Sequence, residues 1–415
     1  MRPARASRDD LTVTSGHFPC LDGYRALAAL AVVMYHVLGE VNPGWLPPVL
    51  RSFNARLGNY GVAVFFLISG LLLYRPFVLA HLEDRPMPRT LSFYRRRFLR
   101  IFPAYWLALT ALFFVFRFRT LHRVSGALTY YGLVQNYRPD FALGGLAVAW
   151  TLCIEVSFYL ALPLIAWLIS RPARRPGADL HARLRAQLLG LGALYLVAVN
   201  WRIFRILVLP DRSQAGLWLP ATLDWFALGM LLAVGNAWGT VTGRLPALVT
   251  RLASAPWLCW LFAAQLYWVT MQLHLPPGYA LPTPFQTMAR YFLNGLSAFL
   301  LLLPGVFGPQ GEGLIRRALR SWPLASLGVV SYGLYLWHTL WLRQVRRWSV
   351  DGWFGWSFLS VMSAVLVLTI ATAALSYFAV ERPLVRLKGR RRSTPYRSAQ
   401  EPERPLVEPV PSGVA

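Results

Sequence analysis

Arg25 and His36 stand at the two ends of an unbroken run of Ala, Leu, Val, Met and Tyr. A helix turns roughly 100° and rises about 1.5 Å per residue, so the offset from 25 to 36 leaves the two side chains about 20° apart in azimuth and about 16 Å apart along the axis. With Arg25 at the membrane surface, His36 lies near the middle of a hydrocarbon layer about 30 Å thick. An ionisable group at that depth is costly. It is retained for chemistry or for a hydrogen bond that ties two helices together. Glu155, within Ala149 to Tyr159, is the second such group. Entering from the outer side near Ala142, its helix reaches Glu155 about 20 Å down, at a depth comparable to that of His36. A carboxylate there could orient the imidazole and stabilise its charged form, or it could serve as a structural hydrogen-bonding group. Tyr159, one turn on, shares the face of Glu155.

A second cluster runs from Phe93 to Trp106 and holds the densest group of arginines beside an apolar run. Arg97 and Arg100 are three apart and share a helix face. Paired guanidinium forks match phosphate and pyrophosphate oxygens. Arginines beside a membrane also fix orientation and hold anionic headgroups, and the residues alone do not separate these uses. His338 follows Ser331 to Trp337 toward the outer end of a later apolar run. It is placed to line an acceptor pocket or to sit in an interfacial aromatic belt. Asp224 faces the ends that carry Arg202 and Arg205, which suits a structural ion pair. The other histidines, His17, His81, His122, His181 and His274, fall in loops or at helix ends.

These side chains need long apolar helices to hold them. Runs able to span a bilayer fall at 24–40, 60–82, 98–117, 142–169, 186–209, 218–238, 256–273, 290–307, 322–342 and 357–380. The expected fold is therefore all-α: a polytopic integral membrane protein of about ten transmembrane helices. A weaker apolar stretch within 125–137 is too short to span and reads as an interfacial or re-entrant piece. With the N-terminus in the cytoplasm, inside segments hold about 28 of the 42 Lys and Arg residues and outside segments about 13. An even number of spans then places the C-terminus in the cytoplasm too. Residues 1–20 are a polar cytoplasmic N-terminus without the apolar core of a cleavable signal. Residues 21–385 form the membrane domain, and 386–415 an Arg-, Pro- and Ser-rich tail expected to be disordered.

Composition agrees. Of 415 residues 56% are hydrophobic and only 14% charged, where a soluble domain carries roughly a quarter charged. The net charge of +25 lies in short Arg clusters between apolar runs, which is a topology signal and not a nucleic-acid footprint. Cys20, Cys153 and Cys259 are too scattered for a disulfide framework or a zinc site, and no metal is expected. Nucleophile-elbow, Walker and H-E-x-x-H motifs are missing from the sequence.

Taken together, the motifs resemble those of the bacterial membrane acyltransferase-3 family, the O-acyltransferases of polysaccharides and antibiotics. Leu21-Asp22-Gly23-Tyr24-Arg25 through His36 is similar to its opening signature, and Gly61 to Gly70 to its second-helix block. Arg97-Phe98-Leu99-Arg100 resembles its R-x-x-R loop. Trp150-Thr151-Leu152 to Glu155, with Phe158-Tyr159, resembles its Trp–Glu helix, Thr151 replacing the usual serine. Ser331-Tyr332-Gly333 to Trp337-His338 and Glu381-Arg382-Pro383 resemble its last two motifs. They occur in the family's order and reach to about residue 385.

The resemblance implies transfer of an acyl group, usually acetyl, from cytoplasmic acyl-CoA to a hydroxyl of a cell-surface glycan, glycolipid or secondary metabolite. It implies catalysis by His36 and donor binding by Arg25, Arg97 and Arg100. To these the reading of the residues adds Glu155 as the catalytic partner and Asp22, Tyr159 and His338 as donor- or substrate-binding candidates. No resident cofactor is implied; acyl-CoA is a co-substrate. The expected setting is the bacterial cytoplasmic membrane, and without a fused SGNH esterase-like domain the chain reads as a stand-alone type. The rival expectation is a proton-coupled transporter or flippase, with His36 and Glu155 as a proton relay.

Overall fold

The computed structural model describes residues 18–116, 124–174, 178–209, 213–275, 282–310 and 312–386. Most of the polar N-terminus and the tail past Arg386, including its expected disorder, lie outside these residues. Among them, all regular secondary structure is helical: α1 Cys20–Val41, α2 Pro48–Leu82, α3 Thr90–Phe114, α4 Val124–Tyr131, α5 Trp150–Ser170, α6 Leu180–Val208, α7 Leu223–Thr242, α8 Ala247–Ser254, α9 Pro256–Met271, α10 Pro284–Val306, α11 Leu314–Leu319, α12 Trp322–Val329, α13 Ser331–Val350, α14 Phe358–Ser376 and α15 Arg382–Arg386.

Local chemistry sets several ends. Proline opens α2, α9 and α10, where its missing N–H costs nothing and its fixed φ suits the first turn. Thr283 and Gln286 close a capping box at the start of α10, and the Asp179 carboxylate accepts from Ala182 N at 2.6 Å to cap α6. Asn42 ends α1 in the left-handed region, with φ 41°.

Eight helical runs among the described residues are long and apolar enough to cross a membrane, and α8 with α9, bent by 89°, makes a ninth. The apolar run expected over 322–342 is different. It is broken at Val330 into α12 and α13, and α13 continues through Arg343, Arg346 and Arg347. A helix this polar is held against protein: α13 packs on α1, α3 and α14. The stretch at 125–137 forms α4, which is too short to span, followed by a 3-10 turn at Gln135–Tyr137. Bonds from α3 tie α4 down, Tyr105 OH to Tyr130 O at 2.7 Å and Trp106 Nε1 to Tyr131 O at 2.9 Å.

The most deeply buried helices are α2 and α7. They approach closely because two glycines face backbone: a Cβ on Gly70 would collide with the Phe226 carbonyl oxygen, and one on Gly229 with that of Leu67. Stacked rings of Phe66, Phe226 and Phe158, with centroids 4.6 and 4.0 Å apart, join α2, α7 and α5. Between α6 and α7 the expected ion pair is present, from Arg202 to Asp224 at 2.8 Å, with both side chains buried. Helix α1 lies between two groups of helices, contacting α2 and α10 on one side and α12, α13 and α14 on the other. Its residues therefore occupy the seam of the bundle.

Candidate active site

Three helices bring residues singled out in the sequence to one cavity of about 300 Å³, and a fourth adds a serine. Arg25 comes from α1, Arg97 and Arg100 from α3, Glu155 and Tyr159 from α5, and Ser69 from α2. Asp22 accepts from Arg25 Nη1 at 3.2 Å, one turn back on the same helix, and so fixes that guanidinium at the cavity wall. A Cβ on Gly328 of α12 would strike the Asp22 carbonyl oxygen, so that glycine lets α12 close against this turn. Glu155 is held twice. Its Oε2 accepts from Tyr159 OH at 2.8 Å and its Oε1 from Ser69 Oγ at 3.2 Å. The buried Nε–H of Arg97 finds no hydrogen-bond acceptor among the described residues. Three guanidiniums against Glu155 and Asp22 make the cavity cationic, with an unsatisfied donor in its wall: chemistry suited to a phosphate-bearing ligand.

His36 is not among the residues lining this cavity. The expected pairing of His36 with Glu155 is therefore corrected: the carboxylate is taken by Ser69 and Tyr159, and His36 meets a second histidine. His338 Nε2 lies 3.2 Å from His36 Nδ1, with ring centroids 5.0 Å apart. His338 is fully buried at the depth of His36 and does not sit in an outer aromatic belt.

The bonds assign the protons. His338 Nδ1 is 3.1 Å from the Leu334 carbonyl and His36 Nδ1 is 2.8 Å from the Val32 carbonyl. Carbonyls only accept, so in the neutral rings each Nδ1 carries hydrogen. His338 Nε2 is then a lone pair able to accept from His36 Nδ1–H, which is shared between that nitrogen and Val32 O. The Nε2 of His36 is left with its own lone pair, the form required of a base or nucleophile.

One apolar layer adjoins both the histidine pair, through Val32 O at His36 and the Tyr335 ring centred 6.0 Å from that of His338, and the arginine-lined cavity. Val32, Val148 and Tyr335 pack together with Phe65 against them, and Phe65 and Tyr335 also line the cavity. Tyr335 OH donates to Val148 O at 3.0 Å and meets Thr151 Oγ1 at 2.7 Å. Ser69, Thr151 and Tyr335 lie inside the motif blocks read from the sequence but carry no site role there. The signal available was a hydroxyl inside each otherwise apolar block. Among the described residues, no group of three or more His, Cys, Asp or Glu side chains is placed to hold a metal ion.

Comparison with known proteins fits this geometry. The acyltransferase-3 family model, described as an acyltransferase domain, matches residues 18–378. The chain is 29% identical to "Acyltransferase MdmB" of Streptomyces mycarofaciens over 402 residues, covering 92% of this chain and 95% of that protein. It is 26% identical to "Nodulation protein 10" of Rhizobium leguminosarum bv. viciae, covering 90% and 95%. Identity is also 26% to "O-acetyltransferase OatA" of Staphylococcus aureus, over 90% of this chain but only 58% of OatA. No solved structure matches. With a family match over most of its length and a polytopic all-α fold, the chain belongs to the acyltransferase-3 family and is a multi-pass membrane O-acyltransferase.

Proposed function

We propose that this enzyme transfers an acetyl group from cytoplasmic acetyl-CoA to a hydroxyl of a cell-surface glycan, glycolipid or secondary metabolite, working in the bacterial cytoplasmic membrane. The observation that carries this reading is the cavity walled by Arg25, Arg97 and Arg100, one apolar layer from the His36–His338 pair. The guanidiniums hold the CoA phosphates, and Asp22 and Glu155 keep the cationic wall in place. The thin pantetheine arm carries the thioester inward past Phe65 and Tyr335. The name of OatA, an O-acetyltransferase, supports acetyl as the group and oxygen as its destination.

At the reacting centre, His36 Nε2 takes the proton of the acceptor hydroxyl as its oxygen attacks the thioester carbonyl. The carbon–sulfur bond breaks, and the departing CoA thiolate receives that proton from the imidazolium. The same nitrogen could first take the acyl group as an acyl-imidazole and then pass it to the hydroxyl. Single-turnover labelling of the protein by donor alone separates the two routes. His338 acts through His36: its Nε2 accepts from the Nδ1–H and steadies the positive charge as it develops.

Membrane vesicles supplied with radiolabelled acetyl-CoA test the proposal. Transfer of label to a vesicle acceptor should occur with the wild type and fall by about 10²-fold or more in His36→Ala. Arg97→Gln with Arg100→Gln should instead raise the donor KM. Transport by the vesicles without any acetyl-CoA consumption would overturn the enzyme reading.

A further inference from the structure

Beyond the histidine pair, at the opposite end of α1 and α13 from Arg25, lies a second cavity of about 680 Å³. Glu40, Arg343, Arg346, Arg347 and Asp351 line it. It begins one helical turn past the site: Glu40 follows His36 by four positions and Leu342 follows His338 by four, a rise of about 6 Å in each case. We propose that this cavity is the acceptor site and that it recognises an anionic group, phosphate or carboxylate, carried beside the hydroxyl to be acylated.

Three guanidiniums face two carboxylates, so the wall is net positive. In the topology that the arginine distribution gives, these arginines stand at the outer end of the bundle, against the inside-positive bias that orients the rest of the chain. Topology therefore does not explain them. Arg347 Nη1 donates to the Phe116 carbonyl at 2.6 Å, which fixes that guanidinium from the end of α3. Arg346 pairs with Glu40 at 2.8 Å, but both side chains are well exposed, at 62% and 42%. Such a pair is weak. An incoming carboxylate or phosphate can take the Arg346 fork from Glu40 at small cost and gain charge-assisted hydrogen bonds. Anchored there, an acceptor has its neighbouring hydroxyl within a helical turn of His36.

The inference rests on His36 as the point of transfer, and the test keeps the two apart. Glucose, glucose 6-phosphate and glucuronate are titrated by calorimetry into the purified full-length protein in nanodiscs of zwitterionic lipid. Both charged sugars should bind at least about tenfold more tightly than glucose. Arg343→Gln/Arg346→Gln/Arg347→Gln should abolish the difference, and the three lysine replacements should keep part of it, since charge remains without the fork. Coenzyme A binding, which depends on Arg97 and Arg100, should be unchanged in these variants and shows that they are folded. Repeating the titration in phosphatidylglycerol nanodiscs identifies the source of the anion. Competition by the lipid assigns the site to a lipid-borne phosphate, and undiminished sugar binding to a soluble acceptor. Equal binding of glucose and the charged sugars by the wild type, or discrimination surviving in the glutamine variant, would overturn the proposal. Loss of coenzyme A binding in Arg97→Gln/Arg100→Gln, with anion discrimination intact, bears on the donor site alone.

Discussion

A histidine with one nitrogen held by a main-chain carbonyl has its tautomer chosen for it. Val32 O does this for His36, and Leu334 O does it for His338. The consequence is a division of labour between His338 and Glu155. In the proposed mechanism His338 steadies the charge on His36, whereas Glu155, held by Ser69 and Tyr159, serves the arginine wall. The two variants should fail differently. His338→Ala is expected to lower kcat by about 10- to 100-fold with the donor KM little changed, and His338→Gln, whose amide oxygen can accept from His36, should recover part of that loss. Glu155→Gln should mainly raise the donor KM. Initial rates of acetyl transfer over a range of acetyl-CoA concentrations measure both; a kcat defect in Glu155→Gln equal to that of His338→Ala would refute the division. The sequence made His36 and Glu155 conspicuous, because a charge inside an apolar run is rare. It could not pair them correctly. Counting residues along a helix gives depth, but not which neighbour the face meets, and the true partner of His36 lies 302 positions away on α13.

Helices are placed here by close approach and by a few buried polar clips. The Arg202–Asp224 pair joins α6 to α7, and the guanidinium also donates to Ala221 O at 3.2 Å and lies 4.5 Å from the centre of the Tyr291 ring. Removing one partner strands a buried charge, so Arg202→Met should destabilise by about 3–5 kcal/mol, while Arg202→Met with Asp224→Leu should recover most of it. Thermal unfolding in a neutral detergent reads both; equal melting of single and double variants would rule out the stranded-charge account. The layer of Val32, Phe65, Val148 and Tyr335 is a second device at this scale. It touches both the arginine-lined cavity and the histidine pair, and in the proposed mechanism the thioester passes it. Phe65→Ala thins that layer, so acetyl-CoA hydrolysis without acceptor should rise relative to transfer. An unchanged ratio of hydrolysis to transfer would show that the layer does not gate the site. All ten apolar runs in the sequence correspond to helices, since length and hydropathy are local properties. The break at Val330 was not legible, because it follows from packing: α12 closes over Asp22 at Gly328, and α13 starts afresh toward His338.

Across the whole molecule, α1 reads as an axis with Arg25 at one cavity, His36 at the centre and Glu40 at the other. Transfer from one side of a membrane to the other needs that axis to be crossed by α13 as well, although α13 is not among the helices apolar enough to be recognised as spans. Labelling of two single cysteines decides this. Cys20, Cys153 and Cys259 are all buried and should give little background with an impermeant maleimide. Leu91, at the start of α3, is 81% exposed, and Trp353, in the turn after α13, is 85% exposed. Between them the chain runs through α3, α5, α6, α7, the bent α8–α9 pair, α10 and α13. If every one of these crosses, the two positions lie on opposite faces; if α13 alone does not, they lie on the same face. The arginine distribution further assigns Leu91 to the cytoplasm. In intact cells Trp353→Cys should therefore label, and Leu91→Cys only after permeabilisation. Protection of both in intact cells, with labelling of both after permeabilisation, would return α13 and its arginines to the donor side, and with them the second cavity.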